Sequence, residues 1–405
     1  MAGRIFYGWW MVATCLVIAI FSWGLGVFGS GVYLHAIAER HGWSVGSISS
    51  AITVSILLSS VLSAFTGPAV GKYGPKPVLG TGAVLLALGL FVTGQVSEPW
   101  HVFAAFALAG IGNSCISVTA LSATLSPWFE RHQGRAVSTA MLGASIGGMT
   151  STPLLIFAIS RLGLEQAMMW SAVAALCVVF PLAVFVLRKS PAEMGLYPDG
   201  EPPAPKSNES AVRVWGRGEA MRTWAFASVV IAFALGLGVQ LGFLTHHVSL
   251  AVPAMGAGGA AFIVSITAVT AFLGRVALAR WADHVDLRVT TAGVLILAAV
   301  AVASIAAVPA VWMLIAASLA FGLTTGNVTT LSPIIVRREF GPEVFASIYG
   351  VCWMCIGFAS ALGPAMFGWL HDYFGGYREV LMLAAVLNLI AAVVVYLGRP
   401  KTRVS

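Results

Sequence analysis

Charge is what this sequence has least of. Asp, Glu, Lys and Arg make up 9% of its 405 residues, against about 25% in an ordinary soluble domain. A larger core cannot explain the deficit, because a soluble core must be covered by polar surface. Hydrophobic residues reach 59%, and the mean hydropathy is +0.91. These figures set aside water-soluble enzymes, disordered chains and collagen-like fibres. Cysteine is sparse as well. Cys15, Cys115, Cys177, Cys352 and Cys355 all fall inside apolar stretches, and none has metal-ligand spacing with a histidine partner. They read as packing residues. Nucleophile–base pairs, phosphate loops and metal clusters are missing too, so neither an enzyme nor a bound cofactor is expected. The first apolar run continues through Gly24 to Ala36, too long for the core of a cleaved signal. What is abundant, 44 Gly and 18 Pro, is ordinary for helices in lipid. An integral membrane protein is implied.

A bilayer core takes about 20 apolar residues per helix. Twelve runs qualify, numbered here as spans 1 to 12: residues 9–36, 46–70, 78–96, 101–127, 136–160, 167–187, 224–249, 258–281, 290–309, 311–336, 346–370 and 378–397. Only a tight turn at Pro309 separates spans 9 and 10. The one long polar segment, Arg188 to Thr223, lies between spans 6 and 7. The expected fold is therefore all-α, with two six-helix bundles, 1–187 and 224–405, joined by a linker over 188–223.

The net charge of +7 would suggest nucleic acid in a soluble protein, but in lipid cationic loops set topology. With both termini cytoplasmic, 18 of the 22 Lys and Arg fall in cytoplasmic segments. Arg40, Arg161 and Arg378 lie outside, and Arg275 remains within a span. This asymmetry predicts a multi-pass protein of the cytoplasmic (inner) membrane, partnered by lipid and not by nucleic acid.

The halves echo one another. Gly67-Pro-Ala-Val-Gly-Lys-Tyr-Gly-Pro-Lys76 joins spans 2 and 3, and Ala279-Arg-Trp-Ala-Asp-His-Val-Asp-Leu-Arg288 joins spans 8 and 9. Gly112-Asn113 in span 4 matches Gly326-Asn327 in span 10. Parallel six-helix repeats of this kind place a substrate near the bilayer midplane.

On these residues the sequence resembles the major facilitator superfamily. More narrowly, it resembles the monocarboxylate transporter branch and the related oxalate/formate antiporters. Tyr7-Gly8-Trp9-Trp10 opens span 1 and Gly42-Trp43-Ser44 precedes span 2. Trp128 to Ala136 enters span 5, Pro191 to Gly200 ends the first half, and Gly363-Pro364 with Gly368-Trp369-Leu370 and Asp372 closes span 11. The resemblance implies a transporter working by alternating access. There are departures. The acidic residue of the first signature loop is Gly71 here, while the second copy keeps Asp283, which implies a weaker latch in the first half. The span 1 lysine and span 8 aspartate of animal monocarboxylate transporters correspond to Gly29 and Ala271, which removes that route for a coupled proton. The oxalate transporter's span 11 lysine has no counterpart, as Ala346 to Leu370 holds no Lys or Arg.

All 15 acidic residues lie in loops or at span ends, which leaves Arg275 as the ionised side chain deep in a span. It stands eight residues from Asp283, about 12 Å into a core of about 30 Å. Burying it costs roughly 2.5–3.5 kcal/mol on insertion scales. Water, backbone carbonyls or a substrate anion can offset that cost. A guanidinium binds a carboxylate bidentately, and the resemblance implies that role for a span 8 arginine. One central cation matches a monoanion. The alternative is a structural Gly-Arg element tied to carbonyls or a helix end.

Other positions are secondary. Asn113, Ser117 and Asn327 can hydrogen-bond a substrate oxygen, or simply glue helices together. Tyr33, Tyr349 and Trp353 can line a cavity, or pack. His246 and His247 lie near the outer end of span 7, and His247 is the better candidate for a coupled proton; the competing role is a polar residue at the interface. Gly134, Gly143 and Gly147 in span 5, and Gly350, Gly357, Gly363 and Gly368 in span 11, allow close helix approach. Gly148 stands where the antiporter motif has proline.

The expected function is transport of a small organic monocarboxylate by a monomer, with Arg275 holding the carboxylate. The alternatives are an efflux carrier or antiporter for another small metabolite or drug, and a non-transporting sensor, for which no output domain is evident.

Overall fold

Every regular element among the described residues is helical. The computed structural model describes residues 6–130, 132–200, 217–281, 285–341 and 345–399, with the backbone alone at 217, 279–281 and 345–347. Asp283 of the second signature loop lies outside them.

Ten helices among the described residues are long and apolar enough to cross a membrane. Two are too long to do so once. Gln133–Val186 has 54 residues and Trp224–Leu278 has 55, roughly 80 Å each at 1.5 Å per residue. Each is broken at a glycine in the left-handed half of backbone space, Gly163 (φ 79°, ψ 166°) and Gly256 (φ 69°, ψ 177°). A β-carbon disfavours that conformation, and glycine lacks one. Spans 5 and 6, and spans 7 and 8, are thus joined by single-residue reversals. The ten helices make twelve crossings, as the apolar runs predict.

Three spans that read as uninterrupted are not regular. Span 1 is helical over Tyr7–Phe21 and Gly29–His41, with a π-helical segment, Ser22–Phe28, between them. Span 4 divides into Pro99–Cys115 and Val118–Leu125, because Ile116 and Ser117 leave helical geometry. Span 11 divides into Phe345–Ser360 and Leu362–Phe374. Hydropathy passes over all three, since Gly, Ser and Ile count the same in a helix and at its interruption.

The chain forms two compact units. One comprises Met1–Trp43 and Val54–Asn208, the other Ser44–Thr53 and Glu209–Ser405. In the first, span 5 lies directly on span 1: a methyl group at Gly143 would stand 2.2 Å from the Leu16 carbonyl oxygen. Aromatic rings close one end, with Trp128 and Phe129 buried against Phe6, Tyr7 and Trp9. From the α-helix that follows, the Tyr33 hydroxyl donates back to the Leu25 carbonyl of the π segment at 3.0 Å, both groups being buried. Tyr33→Phe therefore leaves that carbonyl one donor short. A loss of about 1 kcal/mol is expected, read as a lower melting temperature of the purified protein.

The second unit is fastened at one end by Arg288, 3% exposed. Its guanidinium makes a two-pronged pair with Glu339, Nε to Oε1 at 2.6 Å and Nη2 to Oε2 at 2.8 Å. Nη1 donates to Ser228 Oγ at 2.8 Å and the Val395 carbonyl at 3.1 Å, and Nη2 to the Ala225 carbonyl at 2.9 Å. One side chain thereby ties spans 7, 9, 10 and 12. Asp286 caps span 9 by accepting from the Arg288 and Val289 N–H groups. In the same unit the first turns of span 2 pack on span 11. Asp372 accepts from the Gly46 N–H at 2.6 Å, and Thr53 Oγ1 from the Ala365 N–H at 3.0 Å.

Candidate substrate-binding site

Arg275 emerges from span 8 opposite a bare stretch of span 10. Gly326 lets the arginine stem lie across the helix backbone, and Nε donates to the Gly326 carbonyl at 3.3 Å. The side chain is only partly exposed, in a segment where no carboxylate is near in sequence. A carbonyl dipole at Nε offsets part of the cost of holding this charge in an apolar surround. It does not neutralise it.

Asn327, next in sequence, donates from Nδ2 to the Leu323 carbonyl at 3.0 Å, and its Oδ1 is buried without a hydrogen-bond partner. Six residues beyond Gly326 on span 10, Ser332 Oγ pairs with the Tyr349 hydroxyl at 3.3 Å. The Tyr349 and Trp353 rings stand 6.1 Å apart. Arg275 and Asn327 thus lie at the crossing of spans 8 and 10, while Tyr349 and Trp353 meet span 10 farther along, at Ser332.

His247 does not join them. It is fully buried, with Nε2 3.0 Å from Ser318 Oγ and its ring against Phe243. Ser318 precedes Gly326 by eight residues, about 12 Å along the helix. His246 is also buried. Its Nε2 lies 3.1 Å from the Pro364 carbonyl, which can only accept, so the neutral ring carries its proton there and Nδ1 accepts from Tyr377 at 3.0 Å.

In the first unit, Asn113 Oδ1 accepts from Ser22 Oγ at 2.5 Å, and Gly26 faces the same amide. Tyr33 donates to Leu25 of the same π segment that carries Ser22 and Gly26, and its ring lies near Phe106. Ser117 caps the second half of span 4, accepting from the Ala120 N–H at 3.4 Å. Asn113 and Ser117 thus flank the break in span 4, where helical hydrogen bonding lapses and backbone groups need other partners.

The model of the Major Facilitator Superfamily matches residues 14–261 and 223–405. The chain belongs to the major facilitator superfamily. It is 25% identical over 413 residues to human (Homo sapiens) Monocarboxylate transporter 11, covering 98% of this chain and 83% of that protein. The Oxalate:formate antiporter of Oxalobacter formigenes is also 25% identical, over 405 residues, covering 96% of this chain and 91% of the relative. The solved nucleoside transporter NupG has the same fold, with a TM-score of 0.73 at 14% identity, covering 96% of this chain and all of that one. The protein is a superfamily transporter related to these carriers, and not an enzyme.

Within this superfamily fold some residues carry weight that sequence reasoning did not give them. Ser22, the partner of Asn113, carries no motif of its own. Glu339 and Arg288 read in sequence as charges at span ends, and the fold pairs them. Gly326 reads as the neighbour of Asn327, and the fold lays Arg275 across it. Its small size, four residues after Gly322, was the available signal.

Proposed function

We propose that this transporter moves a small organic monocarboxylate, whose carboxylate is held by Arg275. The observation that carries the proposal is the placement of Arg275 itself. By sequence it is the one ionised side chain deep in an apolar run, and its Nε donates to a backbone carbonyl of the facing helix. Kinship with carriers named for monocarboxylates and for oxalate and formate points to the same class of cargo. A single cation favours a monoanion, because a second carboxylate would enter the apolar interior without a partner. Substrate charge would offset the guanidinium and ease closure of the transporter around a dry site.

Asn327 is the first choice for a second polar contact, since its Oδ1 lacks a partner. Asn113, Ser117, Tyr33, Tyr349 and Trp353 follow it, their polar groups or rings already engaged. His247 is the candidate for a coupled proton, with a buried Nδ1 that has no partner. The organisation we propose is a monomer with bundles 1–187 and 224–405 and linker 188–223. It sits in the cytoplasmic membrane with both termini inside, as the loop cations favour.

The test is a melting series of the purified protein with small monocarboxylates, each paired with its primary amide. The acid should stabilise by mass action, about 2.7 kcal/mol at a concentration 100 times Kd, and the amide should not. Equal stabilisation by both, or stabilisation by neutral and cationic compounds alone, would overturn the anion reading in favour of an efflux carrier for other metabolites. Imposing a pH gradient on proteoliposomes then separates proton coupling from exchange.

A further inference from the structure

We infer that Gly326 is a positioning residue for the Arg275 guanidinium, through both its missing side chain and its carbonyl. The inference rests on the proposed role of Arg275 and extends it to a residue on the opposing helix.

Three observations meet at this position. The first is steric. A methyl group on Gly326 would lie 2.6 Å from Arg275 Cγ, 3.0 Å from its Nε and 2.3 Å from the Ala271 carbonyl oxygen. The arginine stem therefore occupies the place where any other residue would put its side chain. The second is polar. The Gly326 carbonyl accepts from Arg275 Nε at 3.3 Å, from Thr330 Oγ1 at 2.9 Å and from Thr329 Oγ1 at 3.1 Å. The two hydroxyls bond back along their own helix and compete with the arginine for the two lone pairs of one carbonyl.

The third is the crossing itself. Gly322, one turn earlier, and Gly274, beside Arg275 on span 8, are equally bare. A methyl on Gly322 would stand 2.5 Å from the Thr267 carbonyl oxygen, and one on Gly274 2.4 Å from that of Leu323. Small residues four apart allow backbones to approach this closely. Without that approach, Nε would not reach the Gly326 oxygen.

Together these contacts restrain a side chain that otherwise has several freely turning bonds. With Cγ seated on Gly326 and Nε on its carbonyl, the plane of the fork is set before the substrate arrives. Bidentate recognition of a carboxylate depends on that plane. A misplacement of about 1 Å in such a site can cost on the order of 100-fold.

The experiment is a double-mutant cycle with Gly326→Ala and Arg275→Gln, read as Kd for a monocarboxylate that stabilises the wild-type protein. Gly326→Ala alone should weaken binding roughly 10- to 100-fold, and it should have no further effect once Arg275 is Gln. Wild-type affinity in a folded Gly326→Ala protein, or additive losses in the double variant, would overturn the inference. If Gly326→Ala does not fold, Thr330→Val is the second arm. It withdraws a competing donor from the same carbonyl and should tighten binding about two- to threefold when Arg275 is present; unchanged affinity would overturn the inference. Retained binding in Arg275→Gln would remove the substrate role and this inference with it. Loss in Arg275→Gln with normal binding in Gly326→Ala would remove the positioning role alone.

Discussion

Arg275→Gln should abolish monocarboxylate uptake into proteoliposomes while the purified protein remains monodisperse. Glutamine keeps a donor within reach of the Gly326 carbonyl, so the local packing has a substitute. What it lacks is the charge. Removing one partner of a desolvated, hydrogen-bonded ion pair costs about 2–5 kcal/mol, or roughly 30-fold to several thousand-fold in affinity. Folding stability should be unchanged or slightly higher, because the variant no longer carries a cation that costs roughly 2.5–3.5 kcal/mol in lipid. Arg275→Lys separates charge from shape. It restores a positive group without the planar fork, so partial uptake with weakened substrate affinity is expected. Full uptake in the Gln variant would dismiss the arginine from substrate binding.

The second large effect concerns folding. Glu339→Gln leaves the Arg288 guanidinium buried beside a neutral amide. The Ser228 hydroxyl and the carbonyls of Ala225 and Val395 would still accept from it, but none can balance its charge. Breaking a buried pair from one side costs about 3–5 kcal/mol. A pronounced fall in melting temperature should follow, together with poorer yield from the membrane. Replacing both partners, Arg288→Met with Glu339→Leu, should recover part of the loss, since it removes the stranded charge. Recovery should stay incomplete. Val395 lies in the last turn of Arg378–Leu397, where carbonyls have no partner in their own helix, and Arg288 caps one of them. A Glu339→Gln protein as stable as wild type would show that this cluster does not hold the helix ends.

How far these features could be read from the sequence depends on where their physical cause lies. The crossings were legible because lipid imposes a length and a polarity on each helix. Arg275 was legible for the same reason, as an exception to that polarity. Its anchor was much less so. A backbone carbonyl carries no residue-type signature, and only the small residues Gly322 and Gly326 betray where two helices touch. Arg288 and Glu339 are separated by 51 residues, and at a span end each looks like an ordinary topological or solvated charge. Their pairing is a product of helix packing, which periodicity does not encode. The break at Ile116–Ser117 and the π segment in span 1 escaped for another reason. A helix and its local distortion draw on the same apolar alphabet, and the stabilising partners, Asn113 for Ser22 and Tyr33 for Leu25, are side chains with several other uses.

The π segment of span 1 bears on how that helix is compared with others. Ser22–Phe28 winds more residues into each loop of chain than its flanks do, as if a spare link had been taken up in the middle of a spring. One surplus residue in an α-helix turns everything beyond it by about 100°. A wheel diagram drawn at constant pitch from Tyr7 to His41 therefore assigns the upper half of the helix to the wrong compass bearing.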